Sequence, residues 1–314
     1  MSRKLVLTTF FVTILIGALG LSFEVQRAEA SGTIYIRADG SIDPPTAPIS
    51  TVDNVTYTFT GNINDSIVVE RDNIVVDGAG CTVQGTGALD SKGMDLSERT
   101  NVTVRNTQIK KFYDGIHLTS SSNNSMNGNS ITNNSYGIVC IFMSSNNNMG
   151  GNSITANDGC GILLYHSSNN DISGNNITNN GGGIRLGYSS NNVISGNTIT
   201  NNSYYCIELD ASLNNTVCHN NFISNTFQVN NHTPDYANSW DNGREGNYWS
   251  DYDGTDANHD GIGDTPYIID ANNTDNCPLM TQYIIPEFPS LLILPLIFTA
   301  TLLAVTIYRR KQNK

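Results

Sequence analysis

Apolar residues in this chain return to the same places every 22 to 24 residues. The phrase GNSITNN opens at Gly128, returns in close variants at Gly151, Gly174 and Gly196, and becomes HNNFISN at His219. Ser-Ser-Asn-Asn recurs from Ser121, Ser144, Ser167 and Ser189, and Gly-Ile from Gly115, Gly137, Gly161 and Gly183. Aligned, the copies hold four apolar columns. They are Ile116, Ile138, Ile162, Ile184, Ile207; Leu118, Cys140, Leu164, Leu186, Leu209; Met126, Met149, Ile172, Ile194, Val217; and Ile131, Ile154, Ile177, Ile199, Phe222. The first two columns lie two residues apart, which is the period of a strand and not of a helix. A unit this short cannot bury its apolar faces alone, but stacked on its neighbours at ~4.8 Å it builds a continuous core. The pattern therefore predicts an all-β parallel β-helix of about seven to eight coils over residues 51–234.

A fifth column is polar: Asn129, Asn152, Asn175, Asn197 and Asn220. Asn tolerates left-handed backbone, and its amide can bond the same amide one coil away, so this column is expected to serve as corner and ladder together. Degenerate copies at Thr100–Asn106 and Asp72–Gly78 carry the repeat back toward Thr51. Residues 31–50, with Pro44, Pro45 and Pro48, read as a lead-in that covers the first coil. Residues 235–283 read as an acidic cap in which Trp240 and Trp249 cover the last one.

Composition fits this picture. Only 14% of residues are charged, and 43 are Asn, which argues against helical bundles and against disorder of the highly charged kind. Between Ser31 and Ser290 there are 26 acidic and 9 basic residues, about −17, with no basic stripe for nucleic acid. Arg3 and Lys4, an apolar run from Leu5 to Phe23 and Ala28-Glu29-Ala30 have the order of a signal peptide over residues 1–30. Residues 291–308 are uncharged and long enough to cross a hydrocarbon core, and the basic tail 309–314 orients them with residues 31–290 outside. The expected location is the extracytoplasmic cell surface, anchored by one C-terminal pass. Ten Asn-x-Ser/Thr sequons, among them Asn54, Asn101, Asn176 and Asn231, are acceptors for glycosylation in an exported chain.

Two stretches carry a resemblance. Pro286-Glu287-Phe288-Pro289-Ser290, within the linker 284–290, resembles the PEF-type C-terminal sorting signal of archaeal surface proteins. The repeats, with Gly246-Asn247-Tyr248-Trp249-Ser250-Asp251-Tyr252 and Gly261-Ile262-Gly263-Asp264-Thr265-Pro266-Tyr267, resemble the NosD family, named as periplasmic copper-binding proteins. The resemblance implies a right-handed, pectin-lyase-like solenoid outside the cytoplasm. It also implies copper, in an accessory protein for metalloenzyme maturation.

The residues give copper little to hold. Met126, Met149 and Cys140 occupy inward columns, and Cys160, Cys206, Cys218, His117, His166 and His219 do not converge in the alignment. No disulfide pair can be assigned. Calcium has the better local case: Asp256, Asn258, Asp260, Ile262 and Asp264 fall at positions 1, 3, 5, 7 and 9 of an EF-hand-type loop, with Asp251 and Asp253 nearby. Position 12 is Tyr267 in place of the bidentate Glu, so a weaker, structural site is expected. Arg185 and Glu208 share an outward column with His117 but are separated from it by Val139 and Leu163, so the array reads as non-catalytic. A cluster of acidic and basic groups on one outer face would instead favour a polysaccharide lyase, hydrolase or epimerase. Tyr113, Tyr136, Tyr165, Tyr188, Tyr204 and Tyr205 flank inward positions and, with Asn amides, suit the stacking of sugars. The sequence thus points to a surface-binding or adhesion protein whose partners are carbohydrate or surface-layer components.

Overall fold

The computed structural model describes residues 32–284, and the expected signal peptide, transmembrane segment and basic tail lie outside the described residues. Among the described residues there is no helix, and the strands form sheets of ten, nine and eight strands, parallel except for one antiparallel edge strand in each of the first two, plus a two-stranded hairpin. The result is a parallel β-solenoid. In a regular coil one strand of six residues (Asp114–Thr119) joins the ten-stranded sheet. Ser125–Asn127 follows in the nine-stranded sheet and Ser130–Thr132 in the eight-stranded one. The next coil repeats them as Tyr136–Ile141, Asn148–Gly150 and Ser153–Thr155.

All four apolar columns are in register. Ile116 pairs with Ile138, Met126 with Met149 and Ile131 with Ile154, and each column continues coil by coil. These residues are fully buried in one core that runs the length of the solenoid. Full burial of such a side chain is worth about 1.5–3 kcal/mol, so a coil's four inward residues outweigh any single surface contact. The Gly-Ile phrase has a steric cause. A Cβ on Gly115 would sit 2.7 Å from Ile131 Cγ2 and 2.6 Å from the Gly137 carbonyl oxygen, so only glycine lets the coils pass this closely.

The polar column divides its labour in a way the repeat alone did not reveal. Left-handed backbone falls on the residue before each ladder amide: Asn123 before Asn124, Gly128 before Asn129, Asn133 before Asn134. The corner residue is exposed and the amide behind it is buried. There are three such ladders, not one. In the best-formed, the Asn129 Nδ2 donates to Asn152 Oδ1 at 3.1 Å and Asn152 to Asn175 at 3.0 Å. Asn152 Nδ2 also donates to the Met126 carbonyl at 2.7 Å, and its Oδ1 accepts from the Asn129 backbone N–H at 3.0 Å. The side chain thus leaves neither of its ends idle in the core, where an unmade bond is expensive. A serine column, Ser121 to Ser212, does the same work at a fourth corner: the hydroxyls of Ser144, Ser167, Ser189 and Ser212 each accept from the preceding coil's serine N–H, and that of Ser121 from the Arg99 N–H.

Both ends are closed. Ile34–Ile36 lies parallel to Ile67–Val69, and its outer edge is covered by the antiparallel Ile42–Asp43. At the other end Trp249 extends the column of Phe222, with ring centroids 4.5 Å apart, and Tyr267 stacks on its far side at 4.1 Å. Two ladders finish on residues that anchor these tryptophans: Asn273 Oδ1 accepts from Trp240 Nε1 at 3.1 Å, and Asp275 Oδ2 accepts from Trp249 Nε1 at 2.8 Å. Asp275 is fully buried, and burial pushes its carboxyl above the usual range despite four donors around it.

Asn152→Ala is expected to orphan the Asn129 N–H and the Met126 carbonyl and to lower stability by about 2–6 kcal/mol, at about 1–3 kcal/mol per buried group. Asn146→Gly, at an exposed left-handed corner one coil-position away, is expected to change it by no more than about 0.5 kcal/mol. Urea unfolding of both variants checks the division of roles. Because the folded Asp275 carboxyl titrates above its unfolded counterpart, its contribution is full at acid pH and is lost as pH rises through the raised value. The stability difference between wild type and Asp275→Asn is therefore expected to shrink from mildly acidic to neutral pH in the same assay.

Candidate functional site

The ten-stranded sheet turns outward the side chains that the core does not use. One outward column runs Asp95, His117, Val139, Leu163, Arg185, Glu208, Asn230, and a second runs Thr119, Ile141, Tyr165, Gly187, Asp210. Strands of six residues make this face about 20 Å across, wider than the other two sheets with their three-residue strands.

Aromatic residues rim it on both sides. At the ends of its strands Phe142, His166 and Tyr188 hold the left-handed corner positions and stack outward along the solenoid. Phe142 and His166 are 6.5 Å apart with planes 15° from parallel, and His166 and Tyr188 are 4.8 Å apart at 18°. Tyr165 meets this row edge-on, its ring lying over Gly187, where a Cβ would come within 2.8 Å of it. At the beginnings of the strands Tyr113 and Tyr136 pair edge to face at 5.6 Å, and Tyr204 and Phe227 are exposed. Tyr205 lies over Gly182 with its hydroxyl 3.0 Å from Cys160 Sγ, and burial raises both groups above their ordinary values. All six tyrosines singled out in the sequence border this one sheet. The ladder asparagines are not among the Asn amides that could assist them, since their amides are buried and mutually bonded.

Charged groups lie between the rims. Arg185 Nε stands 3.3 Å from Glu208 Oε1, and His232 Nε2 reaches the same oxygen at 3.3 Å. A second group escaped the sequence reading. Asp114 Oδ2 is 2.6 Å from His117 Nδ1, and His117 Nε2 is 2.8 Å from Thr119 Oγ1, a carboxylate–imidazole–hydroxyl relay on a single strand. One coil away Lys92 Nζ bonds Asp95 Oδ2 at 2.8 Å. Burial acts to raise the Asp95 carboxyl, but the bonds from Lys92 and Ser97 outweigh it and hold it below the usual range. The spacing Asp114-x-x-His117-x-Thr119 was visible in the chain; Lys92 and Asp95 were not, because their coil lacks the repeat phrases that set the alignment. Acidic and basic groups therefore do cluster on one outer face.

The acidic cap is arranged differently. Asp256 Oδ2 accepts from the Gly261 N–H at 2.9 Å, Asp260 Oδ1 from Ile262 at 2.9 Å and Asp264 Oδ2 from Ala257 at 2.8 Å, so the loop closes on its own backbone. Asn258 bonds Asp260. Asp251 stands apart, accepting from Tyr267 Oη at 3.1 Å and from Gln228 Nε2 at 3.3 Å. Asp253 is half-to-fully exposed beside them. Among the described residues no three His, Cys, Asp or Glu side chains converge as metal ligands.

A parallel β-solenoid with one aromatic-rimmed face is the class of protein this geometry defines. The chain belongs to the NosD family, described as periplasmic copper-binding protein (NosD), whose model matches residues 51–254. No curated protein matches it. Among solved structures it is similar to a mutant of the periplasmic alginate epimerase AlgG, at 17% identity and a TM-score of 0.41, covering 57% of this chain and 52% of that one. The tailspike protein 2 domain of bacteriophage CBA120 matches at 14% identity and 0.42, covering 56% and 35%. The Azotobacter vinelandii mannuronan C-5 epimerase AlgE6 A-module matches at 13% and 0.39, covering 72% and 93%. The chain thus aligns with about half the length of the first of these.

The donor set does not fit the copper of the family description. Met126, Met149, Cys140 and Cys206 are sealed in the core, and burial pushes the Cys140 thiol up to about 12, far from the thiolate a metal requires. Of the histidines, His117 is tied to Asp114 and Thr119, His166 lies in the aromatic row and His219 is bonded to Glu245. The purified chain is expected to take up no stoichiometric Cu(I) in competition with a chromogenic chelator; one equivalent per chain would reverse this assignment.

Proposed function

We propose that this chain is a cell-surface protein, anchored by residues 291–308, that binds carbohydrate on the outer face of its ten-stranded sheet. The observation that carries the reading is the double aromatic rim, since rings held at fixed spacing beside polar groups suit the apolar and hydroxyl faces of a sugar. The sequons support the same face. Asn54, Asn101, Asn123 and Asn214 precede strands of the nine-stranded sheet, and Asn133, Asn176 and Asn201 lie on or after strands of the eight-stranded one, all exposed. Asn231 alone ends a strand of the ten-stranded sheet, and its amide is engaged by Asp270 at 2.7 Å. Of the other two, Asn64 is exposed three residues before Ile67–Val69 of the ten-stranded sheet, two coils before Tyr113, and Asn272 lies in the cap hairpin. Glycans on the first seven sites would cover two sides and leave the rimmed coils open.

The loop 256–264 is assigned a structural calcium in the same reading. Its support is the EF-hand-like order of oxygen donors and the closing Asp256–Gly261 contact, and binding requires Asp256, Asp260 and Asp264 to turn from backbone N–H groups to the ion. A second reading, modification of a polysaccharide, is favoured by one observation. In the Asp114–His117–Thr119 relay the carboxylate orients an imidazole that can accept a proton at Nε2.

Phe142→Ala with Tyr188→Ala is expected to weaken glycan binding by the full-length protein about tenfold or more in affinity electrophoresis, about 1.4 kcal/mol. Val193→Ala, exposed on the nine-stranded sheet, should leave it unchanged. Equal loss in both would remove the face from consideration. Millimolar calcium is expected to raise the unfolding temperature relative to chelator by mass action, and Asp256→Ala to abolish the rise; no rise in wild type removes the ion. New reducing or unsaturated ends in a bound polymer, lost in His117→Ala, would establish the second reading over simple binding.

A further inference from the structure

We infer that the ligand of this face is an uncharged polysaccharide, lying lengthwise along the solenoid. The inference rests on the carbohydrate reading above and specifies its chemistry. A polyanion such as a uronate or sulfated polymer needs cations that are free to meet it. On this face between Lys92 and Asn231 the two basic side chains each stand beside a carboxylate: Lys92 is hydrogen-bonded to Asp95 at 2.8 Å, and the part-exposed Arg185 forms an ion pair with Glu208 at 3.3 Å. Four carboxylates, Asp95, Asp114, Glu208 and Asp210, face them, so the surface is acidic on balance. His117 and His232 add no free cation, because each is held by one of those carboxylates. Among the described residues the cations without a carboxylate partner are Arg71, which donates to the Ala38 carbonyl and follows Ile67–Val69 of the ten-stranded sheet two coils before Tyr113, Lys110 and Lys111 at the end of a strand of the eight-stranded sheet, and Arg244 in the cap. A polyanion approaching the rims would therefore meet like charge close by and the acidic excess of residues 31–290 at longer range.

Apart from the His166 imidazole stacked between Phe142 and Tyr188, the rims are built of uncharged rings. Phe142, Tyr165 and Tyr188 offer ring faces and edges, with Tyr hydroxyls as the hydrogen-bonding groups. The row steps from coil to coil at the ~4.8 Å strand spacing, so a polymer running along the axis meets one ring after another, whereas one crossing the sheet meets a rim only twice. The acidic residues between the rims then act as hydrogen-bond acceptors for hydroxyl groups. A protein selecting neutral hexose or N-acetylhexosamine polymers would carry this combination.

The test is affinity electrophoresis of the purified full-length protein in detergent against four soluble probes: a neutral glucan, a neutral N-acetylglucosamine polymer, a uronate polymer and a cationic amino-sugar polymer. Retardation is expected by at least one neutral probe and not by the uronate. It should persist from about 0.1 M to about 1 M salt, over which the screening length falls from about 10 Å to about 3 Å. Phe142→Ala with Tyr188→Ala should lower the neutral affinity at least tenfold, and Val193→Ala, exposed on the nine-stranded sheet, should leave it within twofold. Retardation by the uronate, or by the amino-sugar polymer with loss at high salt, overturns the uncharged class while the carbohydrate reading stands. No retardation by any probe overturns the carbohydrate reading, and the inference with it.

Discussion

A buried amide that accepts from one coil and donates to the next is the interaction on which the rest of this molecule depends. Each coil turns its backbone through several corners, and the corners point N–H and C=O groups into a core built mainly of Ile, Leu, Val, Met and Phe. Asn124, Asn129 and Asn134, with their counterparts in later coils, meet these groups and one another, so the interior stays dry without leaving polar groups unmatched. The exposed left-handed residue in front of each amide lets the chain turn sharply enough to place it. With the corners fixed, strand lengths are fixed too, and six-residue strands on one side against three on the others give the solenoid one broad face.

That broad face gathers what the repeat leaves over. Its inward positions are set by the core columns, and its outward positions vary from coil to coil: His117, Val139, Leu163, Arg185, Glu208. The corner at the end of its strands is equally permissive, taking Ser120, Phe142, His166, Tyr188 and Ala211 in turn. A fold this repetitive can write a specific surface only at such positions. The aromatic rims and the Asp114–His117–Thr119 relay both occupy them, whereas copper would need donors the core has already consumed, Met126, Met149, Cys140 and Cys206 among them.

The fold was legible because stacking converts sequence period directly into spatial register. Ile116 lies against Ile138 for no other reason than that the phrases align. What the alignment could not supply was direction within a turn. Asn129 was given both corner and ladder duties, but backbone dihedrals assign the first to Gly128 and the second to Asn129, a distinction one residue wide. The candidate site was only partly legible. The tyrosines were found because they flank repeat phrases; Asp114 was passed over because it lies before the Gly-Ile phrase, and Lys92 and Asp95 because their coil is irregular. In the cap, the order of Asp256, Asn258, Asp260 and Asp264 was plain, but where their oxygens point depends on a non-repeating backbone that no periodicity describes.

The ladders also have a polarity. Each amide gives its N–H forward and takes on its oxygen from behind, so the first members, Asn124, Asn129 and Asn134, receive plain backbone N–H groups from Val102, Thr107 and Phe112. The final member of the Asn129 ladder need only receive, and there the chain places Asp275, which has no hydrogen to pass on. The molecule is accordingly a one-way polymer segment with distinct starting and stopping chemistry. Whole coils can be gained or lost between those ends by duplication or deletion, each new amide finding the partner its predecessor had. Of the three ladders, the one that ends on the Asp275 carboxylate offers no donor to a further coil, whereas those ending on Asn225 and Asn273 end on amides. The ladder chemistry thus allows the coil number to change in whole steps between two ends of different chemistry.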